Sequence, residues 1–346
     1  MKIVKQIEES FQQKLPFVAY RKPKESLVSG LFQKNDEVFF TSDFSESGFV
    51  FAPFDAEKPK ILIPKEQSEF IQETITISGE VISTIKNVNS DISEKKEHLK
   101  MIEKAIEAIN QNKIKKVVLS RKEEIDVLDF NIVEVFKRLL LKYNNAMVYV
   151  WYHPAIGLWL GATPETFLKI DGKEFTTMSL AGTQTLKKDK KIVWKAKEID
   201  EQQLVTDYIV DSLSNICDVI SIADRETSIA GNLVHLKTKI SGNIKDQNSK
   251  LIEKLHPTPA VCGMPLLASK EFIKENEIYK RTYYTGFLGE LNIENKKSEL
   301  FVNLRCMKVE NNKAIIFIGG GITKDSIPEK EWEETIAKAQ TMKSIL

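Results

Sequence analysis

Between Met1 and about Ser90, short apolar runs alternate with turns, as in Glu37-Val-Phe-Phe-Thr and Gly48-Phe-Val-Phe-Ala. Such runs predict sheet strands rather than helices. From Ser90 to Asn112 the period changes. Ile92, Leu99, Ile102, Ala105, Ile106 and Ile109 recur at helical spacing in a charged segment, which predicts an amphipathic helix. Strand patterns then return in Lys116-Val-Val-Leu-Ser-Arg, Met147-Val-Tyr-Val-Trp-Tyr and Gly157-Leu-Trp-Leu-Gly-Ala, the last running into a Pro164-Glu165 turn. Phe167-Leu-Lys-Ile and Glu174-Phe-Thr-Thr-Met-Ser-Leu flank Asp171-Gly172, a hairpin dipeptide.

A second helix is predicted over Lys195–Ile222, with Ile199, Leu204, Ile209, Leu213 and Ile216 as its apolar side. Strands are expected at Gly286–Ile293, Leu300–Val309 and Ala314–Ile318, followed by Gly319, Gly320 and Gly321. Pro328 precedes a closing helix from about Lys330 to Ile345. No low-complexity linker or short-period repeat divides the chain, and consecutive hairpins argue against a regular doubly wound sheet. The expectation is one continuous α+β unit with large sheets.

Composition narrows the function classes. Of 346 residues, 50 are Lys or Arg and 49 are Asp or Glu, so the chain lacks the positive field that nucleic-acid binding usually needs. Hydrophobic residues make up 42% and charged residues 29%, the balance of a water-soluble globular enzyme. No stretch has the length of a membrane span, and the mixed charges of Met1–Tyr20 do not form a signal peptide. Cys217, Cys262 and Cys306 show no paired spacing and read as reduced thiols of a cytoplasmic protein. The scattered His98, His153, His235 and His256 read as structural.

Glu198 and Glu201 share one helical face, and Glu331, Glu334 and Lys338 share another. Two such faces could be solvated surface, or could hold a hard divalent cation, for which all-oxygen ligation favours Mg²⁺. The glycine run before the closing helix adds an expected nest of backbone N–H groups for an anion. Lys116 ends the basic run Lys113-Ile-Lys-Lys, which is usually solvated, yet strand alternation puts it on a face with Val118 and Ser120. Glu165 is either a plain turn residue or a functional carboxylate.

Over roughly its last 230 residues the chain resembles the chorismate-utilising enzymes, the group of anthranilate, aminodeoxychorismate, salicylate and isochorismate synthases. The likeness rests on Lys116-Val-Val-Leu-Ser-Arg, Gly161-Ala-Thr-Pro-Glu-Thr, Leu180-Ala-Gly-Thr, Glu201-Gln-Gln-Leu-Val, Leu255-His-Pro-Thr-Pro-Ala-Val-Cys-Gly, Leu304-Arg-Cys, Gly319-Gly-Gly-Ile and Glu331-Trp-Glu-Glu-Thr. It implies a single α+β unit of two β-sheets packed between helices. Residues 1–90 would be a divergent β-rich part of that unit and 91–346 the chorismate-binding catalytic region.

The resemblance also implies roles. Mg²⁺ would be held by Glu201 and Glu334, with Glu198 and Glu331 as outer or water-mediated ligands. Arg305, Gly319 and Gly320 would bind substrate carboxylates, and Gly182 and Thr183 would orient the ring, with Lys338 close by. Tyr284, Leu304 and Phe317 would line the pocket, although as apolar strand residues they suit a core equally well. Lys116 would be the general base, its pKa lowered by burial and by a cation such as Lys338 or Mg²⁺, and Glu165 the general acid, raised by desolvation. Gln202 departs from the relatives, which commonly carry His after the metal-binding Glu.

Within the group, Lys116 in place of Gln favours water over ammonia as nucleophile, so no glutaminase subunit is expected. Ala260, where salicylate synthases resemble one another in having Thr, favours isochorismate synthase. The expected reaction is a reversible isomerisation in which water adds at C2 and the C4 hydroxyl leaves. Menaquinone biosynthesis is the first candidate route and siderophore biosynthesis the second. Salicylate synthase and a non-catalytic chorismate-binding protein are the alternatives, and a monomer is expected.

Overall fold

The computed structural model describes residues 1–75, 92–186, 192–230, 233–245, 247–294 and 297–346. Two large antiparallel sheets lie face to face between layers of helix, as the α+β expectation required. The nine-stranded sheet runs in the order Gly263–Met264, Lys116–Asp126, Lys313–Ile322, Cys306–Glu310, Gly157–Thr163, Met147–His153, Phe17–Arg21, Leu27–Gln33 and Ser68–Thr74. The ten-stranded sheet runs Cys217–Ile222, Leu233–Ile244, Glu174–Thr185, Thr166–Asp171, Lys297–Val302, Phe287–Glu294, Gly48–Ala52, Lys60–Pro64 and Phe39–Thr41, with Glu226–Ala230 also paired to Leu233–Ile244.

Strand alternation sorts the side chains into layers. In Met147–His153, Tyr149 and Trp151 face the space between the sheets, where they meet Tyr20, Phe49, Phe51 and Trp159. Val148 and Val150 face the other way, onto helices Lys2–Gln12 and Ile132–Lys142 and the end of the closing helix Pro328–Lys343. On the outer side of the ten-stranded sheet, helix Ala196–Leu213 buries Val205, Ile209 and Leu213 against Ile240, Phe175 and Phe167. Helix Ile92–Asn110 buries Ile102, Ala105 and Ile109 beside Val117 and Leu119 of the strand that begins at Lys116.

Four local expectations are corrected. The amino-terminal part is not all strand: Lys2–Gln12 is a helix, because Ile3 and Ile7 stand one turn apart and bury together. The helix predicted to Ile222 ends at Leu213, and Cys217–Ile222 turns back as a strand paired with Leu233–Ile244. The strand predicted over Leu300–Val309 is two strands in different sheets, parted at Arg305, whose φ is 47°. The glycines form no nest, since Gly319, Gly320 and Gly321 continue an extended strand opposite Ser120, Leu119 and Val118. The predicted helix start at Ser90, and the end of the amino-terminal part at residues 76–91, lie outside the described residues.

Candidate active site

Two of the places where the chain passes from one sheet to the other each supply a candidate residue. Strand Gly157–Thr163 ends in the nine-stranded sheet, Pro164-Glu165 bridges, and Thr166–Asp171 begins in the ten-stranded one. Lys297–Val302 crosses in the opposite sense through Asn303-Leu304-Arg305 to Cys306–Glu310. The crossings are tied together: Thr163 Oγ1 donates to the Val302 carbonyl at 2.6 Å, Val302 N to the Glu165 carbonyl at 3.0 Å, and Ala162 N to the Arg305 carbonyl at 3.0 Å. Glu165 and Arg305 are thereby fixed by backbone.

These crossings form part of the wall of a cavity of about 930 Å³, measured out to its opening. Thirteen of the fourteen residues singled out above reach its wall. The exception, Lys116, sits just beneath it, 1% exposed, with Nζ 2.9 Å from Glu201 Oε1. Leu304 and Phe317 line the cavity as well, so their pocket reading holds.

Helix Ala196–Leu213 contributes Lys197, Glu198 and Glu201, and the closing helix contributes Glu331, Glu334 and Lys338. Each carboxylate has a nitrogen partner. Glu201 pairs with Lys116, Glu334 with Lys338 at 2.7 Å and Glu331 with Lys197 at 2.8 Å, while Glu198 accepts from the Lys195 amide at 2.9 Å. Lys338 also donates to the Gly319 carbonyl at 2.9 Å. Burial and the neighbouring Glu334 raise the Glu331 pKa, against the pull of Lys197.

The glycines matter for the space they leave. A Cβ on Gly321 would stand 2.5 Å from Glu201 Oε1 and 3.1 Å from Lys116 Cε. One on Gly319 would stand 2.8 Å from the Tyr284 hydroxyl and 2.9 Å from the Leu119 carbonyl. Gly182, at φ 71°, sits where the register of Glu174–Thr185 against Leu233–Ile244 shifts, and its missing side chain lets the strand approach Glu198. That is a bulge placed beside a functional helix.

Glu165 is 4% exposed, and its pKa is pushed up to about 8 by burial against the opposing pull of Lys116, Lys338 and Arg305. Near neutral pH it therefore carries a proton. Arg305 donates through Nη1 to Thr341 Oγ1 at 3.1 Å, and burial lowers its pKa from the usual guanidinium value.

The sequence reading missed two groups. Lys197, one residue before Glu198, lines the cavity, and nothing in its spacing separates it from surface lysines. His235, read as structural, also lines the cavity. Its Nδ1 is 3.2 Å from both the Gly182 carbonyl, which can only accept, and Thr183 Oγ1, which can accept or donate, so a hydrogen on Nδ1 suits both partners. Nε2 is then an acceptor, buried and without a partner among the described residues. Burial, with Arg305 and Lys338 nearby, pushes the His235 pKa down to about 3, keeping it neutral.

This constellation of two carboxylate-bearing helices, a buried lysine, a protonated glutamate and an arginine coincides with a family match. The chorismate binding enzyme profile covers residues 56–346. The chain belongs to that family. It is 29% identical over 314 residues to isochorismate synthase EntC of Escherichia coli (strain K12), covering 85% of this chain and 79% of the relative. Among solved structures, a protein described as the 2,3-dihydroxybenzoate-specific isochorismate synthase DhbC of Bacillus anthracis superposes with a TM-score of 0.83 at 21% identity, over 99% of both chains. MenF, the menaquinone-specific isochorismate synthase of Escherichia coli, gives 0.81 at 20% identity, over 96% of this chain and 89% of that one. No helix among the described residues is long and apolar enough to cross a membrane.

Proposed function

We propose that the chain is an isochorismate synthase that interconverts chorismate and isochorismate. The observation that carries this reading is the convergence on one cavity of Lys116, a buried protonated Glu165 and two pairs of helix carboxylates. The curated relatives point the same way, being isochorismate synthases at 26% to 31% identity.

The residues suit the chemistry. As the new C2–O bond forms, the attacking water loses a proton to Lys116 Nζ. As the C4–O bond breaks, the leaving hydroxyl takes a proton from Glu165. Burial holds Glu165 in the donor form. Lys116 Nζ, 2.9 Å from Glu201 Oε1, is released to face the attacking water once Glu201 is engaged elsewhere. Arg305 offers a fork for a substrate carboxylate, and His235 Nε2 an acceptor for a substrate hydroxyl. One C–O bond replaces another, so the equilibrium should be reversible.

The donor set at the two helices is all oxygen, which fits a hard divalent ion, and Gly320 and Gly321 present no side chain to crowd it. Among the described residues no three acidic, imidazole or thiol groups converge on one point, each glutamate being turned to its nitrogen partner instead. Glu201 and Glu334 would hold Mg²⁺, with Glu198 and Glu331 behind them. Mg²⁺ there supplies positive charge for the substrate carboxylate. Gly182, Thr183, Ala260, Tyr284, Gly319, Gly320 and Lys338 complete the substrate-binding wall. The proposed enzyme works in the cytoplasm as a single chain, with no glutaminase subunit, in menaquinone or siderophore biosynthesis.

Purified protein incubated with chorismate, with and without Mg²⁺, tests this directly. Chromatography should show isochorismate only with Mg²⁺, at a plateau short of completion, and Lys116→Ala should abolish it. Salicylate with pyruvate, an aminated product, or bound but unchanged chorismate would each overturn the assignment.

A further inference from the structure

Helix Ala196–Leu213 rests on its sheet through an unusual face. Among Val205, Ile209 and Leu213 it buries Gln202, which is 0% exposed. The Gln202 amide nitrogen lies 2.7 Å from Ser179 Oγ, 2.9 Å from Thr238 Oγ1 and 3.1 Å from Thr206 Oγ1. Ser179 belongs to strand Glu174–Thr185 and Thr238 to Leu233–Ile244, so one side chain pins the helix to two neighbouring strands. The amide oxygen accepts from Arg225 Nε at 2.6 Å, and Arg225 Nη2 donates to Gln203 Oε1, also at 2.6 Å. None of Arg225, Gln202 and Gln203 reaches the cavity wall.

We propose that Arg225 is a positioning residue for the metal-binding carboxylates Glu198 and Glu201, acting through its grip on Gln202 and Gln203; this rests on the Mg²⁺ reading above. Arg225 lies between strands Cys217–Ile222 and Glu226–Ala230, outside the helix it holds. Its planar fork spans two consecutive helix residues, which point about 100° apart. A grip on both fixes the roll of the helix as well as its height. Roll is what a metal ligand feels: turning the helix by about 20° would carry a carboxylate about 7 Å from the axis through about 2.5 Å. Ligand distances tolerate about 0.2 Å. Apolar packing alone sets roll loosely, whereas a buried amide whose donors and acceptor are all engaged sets it sharply. Glu201 is the residue immediately before Gln202, so the constraint is applied beside the ligand.

Mn²⁺ serves as the probe, titrated against the full chain with free Mn²⁺ read by electron paramagnetic resonance. Alongside it run the Mg²⁺ concentration for half-maximal turnover and the thermal midpoint. Arg225→Ala and Gln202→Leu should each weaken Mn²⁺ binding about tenfold, the usual effect of removing a group that orients a ligand. The Mg²⁺ requirement should rise in parallel, with lost turnover recovered by excess Mg²⁺. The double variant should be no weaker than the worse single one, since both break one grip. Gln202→Glu, which keeps an acceptor for Arg225, should bind Mn²⁺ like the wild type. Wild-type Mn²⁺ affinity in Arg225→Ala, whatever its thermal midpoint, overturns the proposal, as does an additive loss in the double variant. Should Gln202→Leu fail to fold, Arg225→Ala decides alone, its side chain lying at the surface. A wild-type protein that binds no Mn²⁺ and turns over without Mg²⁺ overturns the metal reading itself, a result distinct from unchanged affinity in the variants.

Discussion

Glu165 shows how much of this site is set by one side chain's surroundings. A turn glutamate in water is ionised at neutral pH, but here desolvation outweighs three nearby cations and lifts its pKa to about 8. The sign of the consequence is fixed. Below that value the carboxyl holds the proton it must donate, and above it the donor is lost, so kcat should fall as pH rises through about 8. Glu165→Gln should lower kcat by roughly 10²- to 10⁴-fold, the range for a general acid, and remove that alkaline limb from a pH–rate profile. A profile still falling near pH 8 in the glutamine variant would assign the limb to another group. At this scale the sequence was partly legible. Lys116, Glu165 and the glutamates stood out through ordered motifs. His235 did not, because a single strand histidine has no spacing signature, and it is the Gly182 carbonyl and Thr183 Oγ1 against its Nδ1 that leave its Nε2 for the cavity.

Elements place these side chains, and the glycine strand is the tightest case. Gly321 must lack a side chain because Glu201 and Lys116 occupy the volume a Cβ would take. Gly321→Ala should therefore push the Glu201 carboxylate aside and cut kcat at least tenfold, while the extended backbone keeps the thermal midpoint within a few degrees. Steady-state rates and differential scanning calorimetry on the same preparation separate the two effects; a variant of wild-type activity would show that Glu201 can move without harm. The run of glycines was visible in the sequence and was read as a nest, but the strand Lys116–Asp126 claims it as a ladder partner instead. Likewise the apolar run Leu300–Val309 predicts one strand. Its division at Arg305 follows from which sheet each half can pair with, a choice made by Gly157–Thr163 and Phe287–Glu294.

Across the whole molecule, the sheets and the site are one construction. Phe51, Trp151, Trp159 and Tyr283 fill the space between the sheets, with ring centroids 4.4 to 6.5 Å apart, and so set the separation that the two crossings must span. Trp159→Ala should lose about 3–5 kcal/mol of unfolding free energy, the usual result of emptying a buried aromatic site. Because Glu165 and Arg305 ride on the crossings, activity should fall with it. Denaturant unfolding and turnover, measured together, test this; a destabilised variant with full activity would mean that the crossings hold their geometry without the aromatic layer.

What the sequence by itself determined is the local alphabet. Period-two runs made strands, helical spacing made Ile92–Asn110 and Pro328–Lys343, and the acidic pairs one turn apart placed two carboxylates on each helix face. These follow from backbone periodicity, which depends only on near neighbours. Tertiary structure alone decided which of those pieces meet. It routed Glu165 and Arg305 to neighbouring crossings, sank Lys116 beneath Glu201, turned His235 into the cavity and closed the Arg225 grip on Gln202. Each of these contacts joins residues far apart in the chain or in different elements, and burial and pairing, rather than local spacing, gave them their chemistry.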